Sequence, residues 1–187
     1  MGNILAIAQK ELKASFSTPI AYVVIGFFAL LWGYFYYSML LYFTSESMRA
    51  STQTALDMNQ ELVRPLLLNA SVIMLFVLPL ITMRTYSEEK RSGTIELLLT
   101  SPLTDLQIIL GKFLGAMGLF VSLLLITAPH VILLFAYGNP EWKPLMTGYM
   151  GLLLMGGCFV SVGLLISSLT KNQIVSGMVT FAVFLFL

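Results

Sequence analysis

Six charged side chains, Arg84, Glu88, Glu89, Lys90, Arg91 and Glu96, fall within thirteen consecutive residues of a chain that has only nineteen in 187. Acids and bases in this density suit ion pairing and docking rather than covalent catalysis. At mid-bilayer each charge would cost about 2.5–3.5 kcal/mol, so the six would cost about 15 kcal/mol or more before pairing. The stretch Met83–Pro102 is therefore expected in water. It also holds Ile95, Leu97, Leu98 and Leu99, which a bare connector does not need.

Other side chains with chemical potential are sparse. His130 is the single histidine, and Ser161, Ser167 and Ser168 lie thirty or more residues further on. A Ser–His pair across two helices would make an intramembrane protease, but no GxSxG elbow or neighbouring acid supports it. Hydroxyls in apolar helices more often bond backbone or a neighbouring helix. His130 after Pro129, with Asn69, is instead a candidate lining of a translocation path. The lone Cys158 sits in an apolar run and offers no disulfide framework or metal cluster. No GxxxxGK[ST] run is present to cradle nucleotide phosphates.

The elements that would carry these residues follow from composition. Apolar residues make up 58% of the chain and charged residues 10%, with a mean hydropathy of +0.89. Soluble domains have about 25% charged residues, so this is an all-α polytopic membrane protein. Its net charge of +1 gives no argument for nucleic acid. Charge-free runs predict spans over 20–43, 65–83, 113–137 (extended backward past Lys112 to give 106–137) and 145–170, and a partial fifth over 174–187, all within a single domain covering 1–187. The fifth reaches only about 21 Å at 1.5 Å per residue, so the sequence reads as a fragment of a longer protein, with five visible spans of an expected six. The apolar run after Pro19 is too long for the core of a cleavable leader. The rival non-enzyme readings, a membrane scaffold or an ion channel, gain nothing from the spans, which hold no charge beyond their ends.

Residues 1–18 predict a helix lying in the membrane interface, with Ile4, Leu5, Ala8, Leu12 and Phe16 within about 120° on the wheel and Lys10 and Lys13 pointing away. Lys10, Lys13, Arg84, Lys90, Arg91, Lys112 and Lys171 fall on one side of the membrane, against Arg49, Arg64 and Lys143 on the other. This asymmetry puts the N-terminus and the 84–104 loop in the cytoplasm. The outer loop 44–64 is too short for a domain, and Trp142 suits a headgroup-level anchor.

Within 84–104, helical signals continue past Met83 through Glu88–Arg91, and Gly93 suits a left-handed helix end. Thr94 can start a short helix with Glu96 in its first turn. Leu97, Leu98 and Leu99 give it an apolar face, Pro102 ends it, and Thr104–Gln107 forms a capping box for the next span. Gly111, Gly115 and Gly118 allow close helix approach. SEEKRSGTIELLLTSPLT with Gly111 and Lys112 resembles the signature of ABC-2-type permeases, membrane subunits of ATP-binding-cassette transporters. KELKASFSTPIAYVVIG resembles the elbow helix and first span of that family, closest to its gliding-motility-associated branch. The resemblance implies six spans per subunit, a second permease copy and a separate ATPase carrying ATP and Mg. It implies an exporter in the bacterial inner membrane, with no cofactor in this chain. Residues 94–101 would be the coupling helix docking on that ATPase, through Glu88, Glu89, Arg91, Gly93, Thr94, Glu96, Leu98 and Leu99.

Overall fold

A computed structural model describes residues 2–49, 57–94, 103–138 and 140–187. All regular structure among them is helical: α1 Gly2–Ser17, α2 Pro19–Arg49, a π-helical turn Asn59–Val63 leading into α3 Arg64–Thr82, α4 Ser87–Ser92, α5 Asp105–Tyr137, α6 Trp142–Leu169 and α7 Gln173–Phe186. Four stretches are long and apolar enough to cross a membrane: Pro19–Arg49, Asn59–Ser92, Asp105–Tyr137 and Trp142–Leu169. Helix α7 is apolar but has 14 residues, about 21 Å of rise. The protein is a multi-pass helical membrane protein.

Helix α3 is the hub, packed against α2, α5, α6 and α7. Its inward face, Leu66, Ala70, Ile73, Met74, Val77 and Leu78, is almost fully buried, a 3–4 spacing that keeps one stripe of the helix facing its neighbours. Phe28 and Trp32 from α2, Phe120 from α5, Val160 from α6 and Phe184 from α7 complete the core. Outward residues such as Leu30, Leu125 and Leu154 are exposed. In lipid that exposure costs nothing, so packing and small residues, not apolarity, decide which faces meet. Gly163 leaves room for Thr82 of α3, and Gly156 for the ring of Phe120.

At 33 residues, α5 is about 50 Å long and overshoots a hydrocarbon core of about 30 Å. Helix α1 lies along its first turns. A Cβ added to Gly111 would stand 2.6 Å from Ile7 Cβ, and one on Gly115 2.6 Å from Glu11 Cβ, so these glycines form the groove in which α1 sits. The contacting face of α1 overlaps the predicted apolar stripe at Ile4, Ala8, Leu12 and Phe16, with Leu5 the exception. Ile7 is its one buried residue, Ile4, Ala8, Glu11 and Leu12 are half-buried beside it, and Leu5 points outward at 58% exposure. The wheel identified apolar residues, but an interfacial helix has both a protein face and a lipid face, and Leu5 belongs to the second.

The helix predicted to continue past Met83 is interrupted. Residues 83–86 form turns before the helix resumes as α4. Gly93 ends α4 at φ 73°, the left-handed conformation predicted for it and one that costs residues with a Cβ about 1–2 kcal/mol. Thr104 caps α5, its hydroxyl accepting from the Gln107 backbone N–H at 3.4 Å. The capping box is only half realised, because the Gln107 side chain instead accepts from Asn3 Nδ2 at 3.4 Å.

Candidate functional site: an ion-locked joint

Where α1, the 83–86 turns, α4 and α5 converge, Lys112 is 1% exposed. Its Nζ lies 2.8 Å from Glu11 Oε1 on α1 and 2.9 Å from Glu89 Oε1 on α4. It also donates to the Thr85 carbonyl at 3.0 Å and stands 4.9 Å from the centre of the Tyr86 ring. A buried ammonium is tolerated only when its donors are satisfied and its charge is met; here two carboxylates, a carbonyl and a ring face do so. Tyr86 presents the face of its ring to the ammonium. Three segments that are far apart in sequence are thereby pinned at one atom.

A second lock surrounds the first. Arg84 grips Glu88 with two N–H groups, Nε to Oε2 at 3.0 Å and Nη2 to Oε1 at 3.2 Å, and reaches Thr18 Oγ1 at the α1–α2 bend at 3.3 Å. This bidentate geometry is the fixed-fork pairing that arginine favours. Lys90 donates to the Ser168 carbonyl at the end of α6. Ser167 Oγ accepts from the Tyr86 and Ser87 backbone N–H groups at 3.1 and 3.2 Å and donates to the Met83 carbonyl at 3.2 Å. One hydroxyl therefore satisfies backbone groups that the helix break leaves open. Each of the two N–H groups would otherwise cost about 1–3 kcal/mol as an unmet buried group, whereas the Met83 carbonyl also accepts from Ser87 Oγ.

Glu88, Glu89, Gly93 and Thr94 fall on or beside this joint. Arg91 is exposed and, among the described residues, makes no ion pair. Glu96, Leu98 and Leu99 lie outside the described residues. Glu88 and Glu89 are both ion-paired, with partners that come from Arg84 and from another helix. Sequence reasoning missed Glu11 as part of the site, and took Lys112 only as the end of a motif. The available signal was a carboxylate seven residues after Ile4 and four after Ile7, on the face of α1 that packs inward.

His130 and Asn69 are not brought to this joint. His130 of α5 packs against α2, its ring centre 4.7 Å from Tyr36 and 6.4 Å from Trp32. Leu66 and Tyr149 flank the same small void. Asn69 is half-buried on α3 and is not among the residues around that void. Seventeen residues of α3 separate Leu66 from Met83, which bonds Ser167, so His130 and Ser167 are about 25 Å apart along the bundle. Ser161 and Ser168 bond carbonyls of their own helix. The geometry brings no serine of α6 to the histidine.

Residues 5–187 match the profile of the family described as "ABC-2 family transporter protein". Over 94 residues the chain is 36% identical to the "Probable multidrug ABC transporter permease YbhR" of Escherichia coli (strain K12), and equally to the protein of that name in Escherichia coli O157:H7. The match covers 50% of this chain and 25% of each relative's length. No solved structure matches the chain.

Proposed function

Because the chain belongs to the ABC-2 family of transporter proteins, we propose that it is the transmembrane permease subunit of an ATP-binding-cassette exporter, driven by ATP bound with Mg and hydrolysed on a separate ATPase subunit. Two permease copies of six spans each would enclose a cavity whose access alternates. The excess of Lys and Arg on the α1 and α4 side supports a cytoplasmic location for that side, and we take the membrane to be the bacterial inner membrane. The Thr18-Pro19-Ile20 bend supports the gliding-motility-associated branch of the family.

The observation that carries the reading is the Lys112 cluster. A segment that only joined two spans would need no buried ammonium tying it to α1 and α5. A segment that receives force does, because movement of residues 94–101 then reaches the spans through α4 instead of being absorbed by a loose loop. Glu96 on that segment would face the ATPase, with Leu98 and Leu99 filling a groove in it as an amphipathic helix does.

The test is co-purification of the full-length permease with its ATPase. Placing like charges face to face at an interface costs several kcal/mol, and each 1.4 kcal/mol is a factor of ten. Glu96→Arg is expected to reduce recovered ATPase at least about tenfold while the permease alone keeps its melting temperature. Unchanged assembly with unchanged ATPase activity would sink the docking assignment.

A further inference from the structure

A cavity of about 280 Å³ opens between α1, α2 and the end of α3. Its wall is divided. Lys10, Glu11, Arg84 and Glu89 line one part, and Ile20, Val24, Leu80 and Leu119 line another. It lies against the ion cluster, which has an unbalanced charge. Glu11 and Glu89 share the single ammonium of Lys112, and Glu89 Oε2 is buried without a partner. A buried carboxylate oxygen lacking a donor is costly, and a cationic donor arriving through the cavity would remove that cost. Nearby, Lys10 is exposed and, among the described residues, in no ion pair. Arg84 has spent three N–H groups of its five on Glu88 and Thr18.

We propose that this cavity is a binding site for the headgroup of an aminophospholipid. The primary ammonium meets the carboxylates of Glu11 and Glu89, the phosphate meets Lys10 and the remaining donors of Arg84, and an acyl chain follows Ile20, Val24, Leu80 and Leu119 into the bilayer. The inference rests on α1 lying at the membrane surface, not on the identity of the transported substrate. The volume is small beside the roughly 300–1,000 Å³ of sites that enclose a whole ligand, which suits a headgroup whose tail stays in lipid. A glycerol headgroup brings no cation to Glu89 Oε2, which is buried without a partner. A trimethylammonium lacks the N–H that Glu89 Oε2 wants. Bound there, the lipid would brace the elbow helix against the spans.

Native mass spectrometry of the full-length permease in detergent tests this, with phosphatidylethanolamine, phosphatidylcholine and phosphatidylglycerol of identical chains added in equal amounts. One charge-assisted hydrogen bond corresponds to about a tenfold preference, so phosphatidylethanolamine is expected to be retained about tenfold over the other two. Ala14 is exposed and lines the cavity, so Ala14→Trp fills the space and is expected to abolish the preference. Lys10→Glu, at a position where folding is not at stake, is expected to lower retention several-fold by repelling the phosphate. Soluble phosphoethanolamine is expected not to displace the lipid at equal concentration. Equal retention of the three lipids, an unchanged preference in both variants, or displacement by phosphoethanolamine as effective as by the lipid itself would each overturn the proposal.

Discussion

Lys112→Met is expected to destabilise the folded permease by about 3 kcal/mol, lowering its melting temperature in detergent by several degrees. Removing one member of a buried ion pair typically costs about 3–5 kcal/mol, because the remaining charge stays buried without compensation. The lower end applies here, since Glu11 and Glu89 remain 19% and 18% exposed and retain some contact with water. The methionine keeps the length and packing of the side chain, so the loss reports charge rather than a cavity. The companion variant Lys112→Met with Glu11→Gln and Glu89→Gln removes all three charges, and its stability is expected to return to within about 1 kcal/mol of the starting protein. Thermal unfolding followed by tryptophan fluorescence reads both. If Lys112→Met melted unchanged, the cluster would not hold the joint. If the triple variant melted as low as the single one, hydrogen bonding rather than charge balance would be the stabilising term.

Gly115→Leu is expected to separate α1 from α5. A Cβ at this position would stand 2.6 Å from Glu11 Cβ and 3.3 Å from the Ala8 carbonyl oxygen. Both are atoms on or next to the α1 backbone, so no rotamer change relieves the clash and the helix itself must move. Overpacking of this kind costs about 1–3 kcal/mol, and moving α1 also draws Glu11 away from Lys112. Detachment is read by trypsin, since Lys10 and Lys13 face outward on α1 and cleavage there accelerates when the helix frays from its groove. Gly157→Ala is the control, because its nearest neighbours are side-chain tips of Met117 and Phe113 at 3.9 Å and the change should be nearly silent. Trypsin cleavage of Gly115→Leu at the rate of the unaltered protein would mean that α1 is not held by the glycine groove.

The two effects converge on one joint, and they mark where sequence reading stops. Spans could be found because charge has no place in hydrocarbon and the bilayer sets a minimum length; 106–137 and 145–170 lie within a residue or a few of α5 and α6. Caps were legible because their chemistry is local: Gly93 alone in its neighbourhood lacks a Cβ, and Thr104 precedes Gln107 by three residues. The Gly111, Gly115 and Gly118 pattern announced close approach but not its partner, since any helix could have filled the groove. On α1 only Leu5 of the five stripe residues turns away from the protein, because hydropathy treats lipid and protein as the same apolar environment. Lys112 and Glu11 are 101 residues apart, and nothing in their local surroundings announces the pairing. The break at 83–86 depends in the same way on Ser167 from a helix some eighty residues later.

The ion-locked segment is expected to end on a partner ATPase at the cytoplasmic face. Ser92 is exposed on α4, one residue before the Gly93 turn. Placing a cysteine there in the full-length permease, co-expressed with its ATPase, and treating intact cells and then inverted membrane vesicles with a short bifunctional cross-linker tests that claim most directly. The expected result is an adduct between permease and ATPase formed in the inverted vesicles, with the cysteine silent to impermeant thiol reagents added outside intact cells. Labelling from outside, or inverted vesicles in which residue 92 is reactive yet gives no adduct with the ATPase, would contradict it.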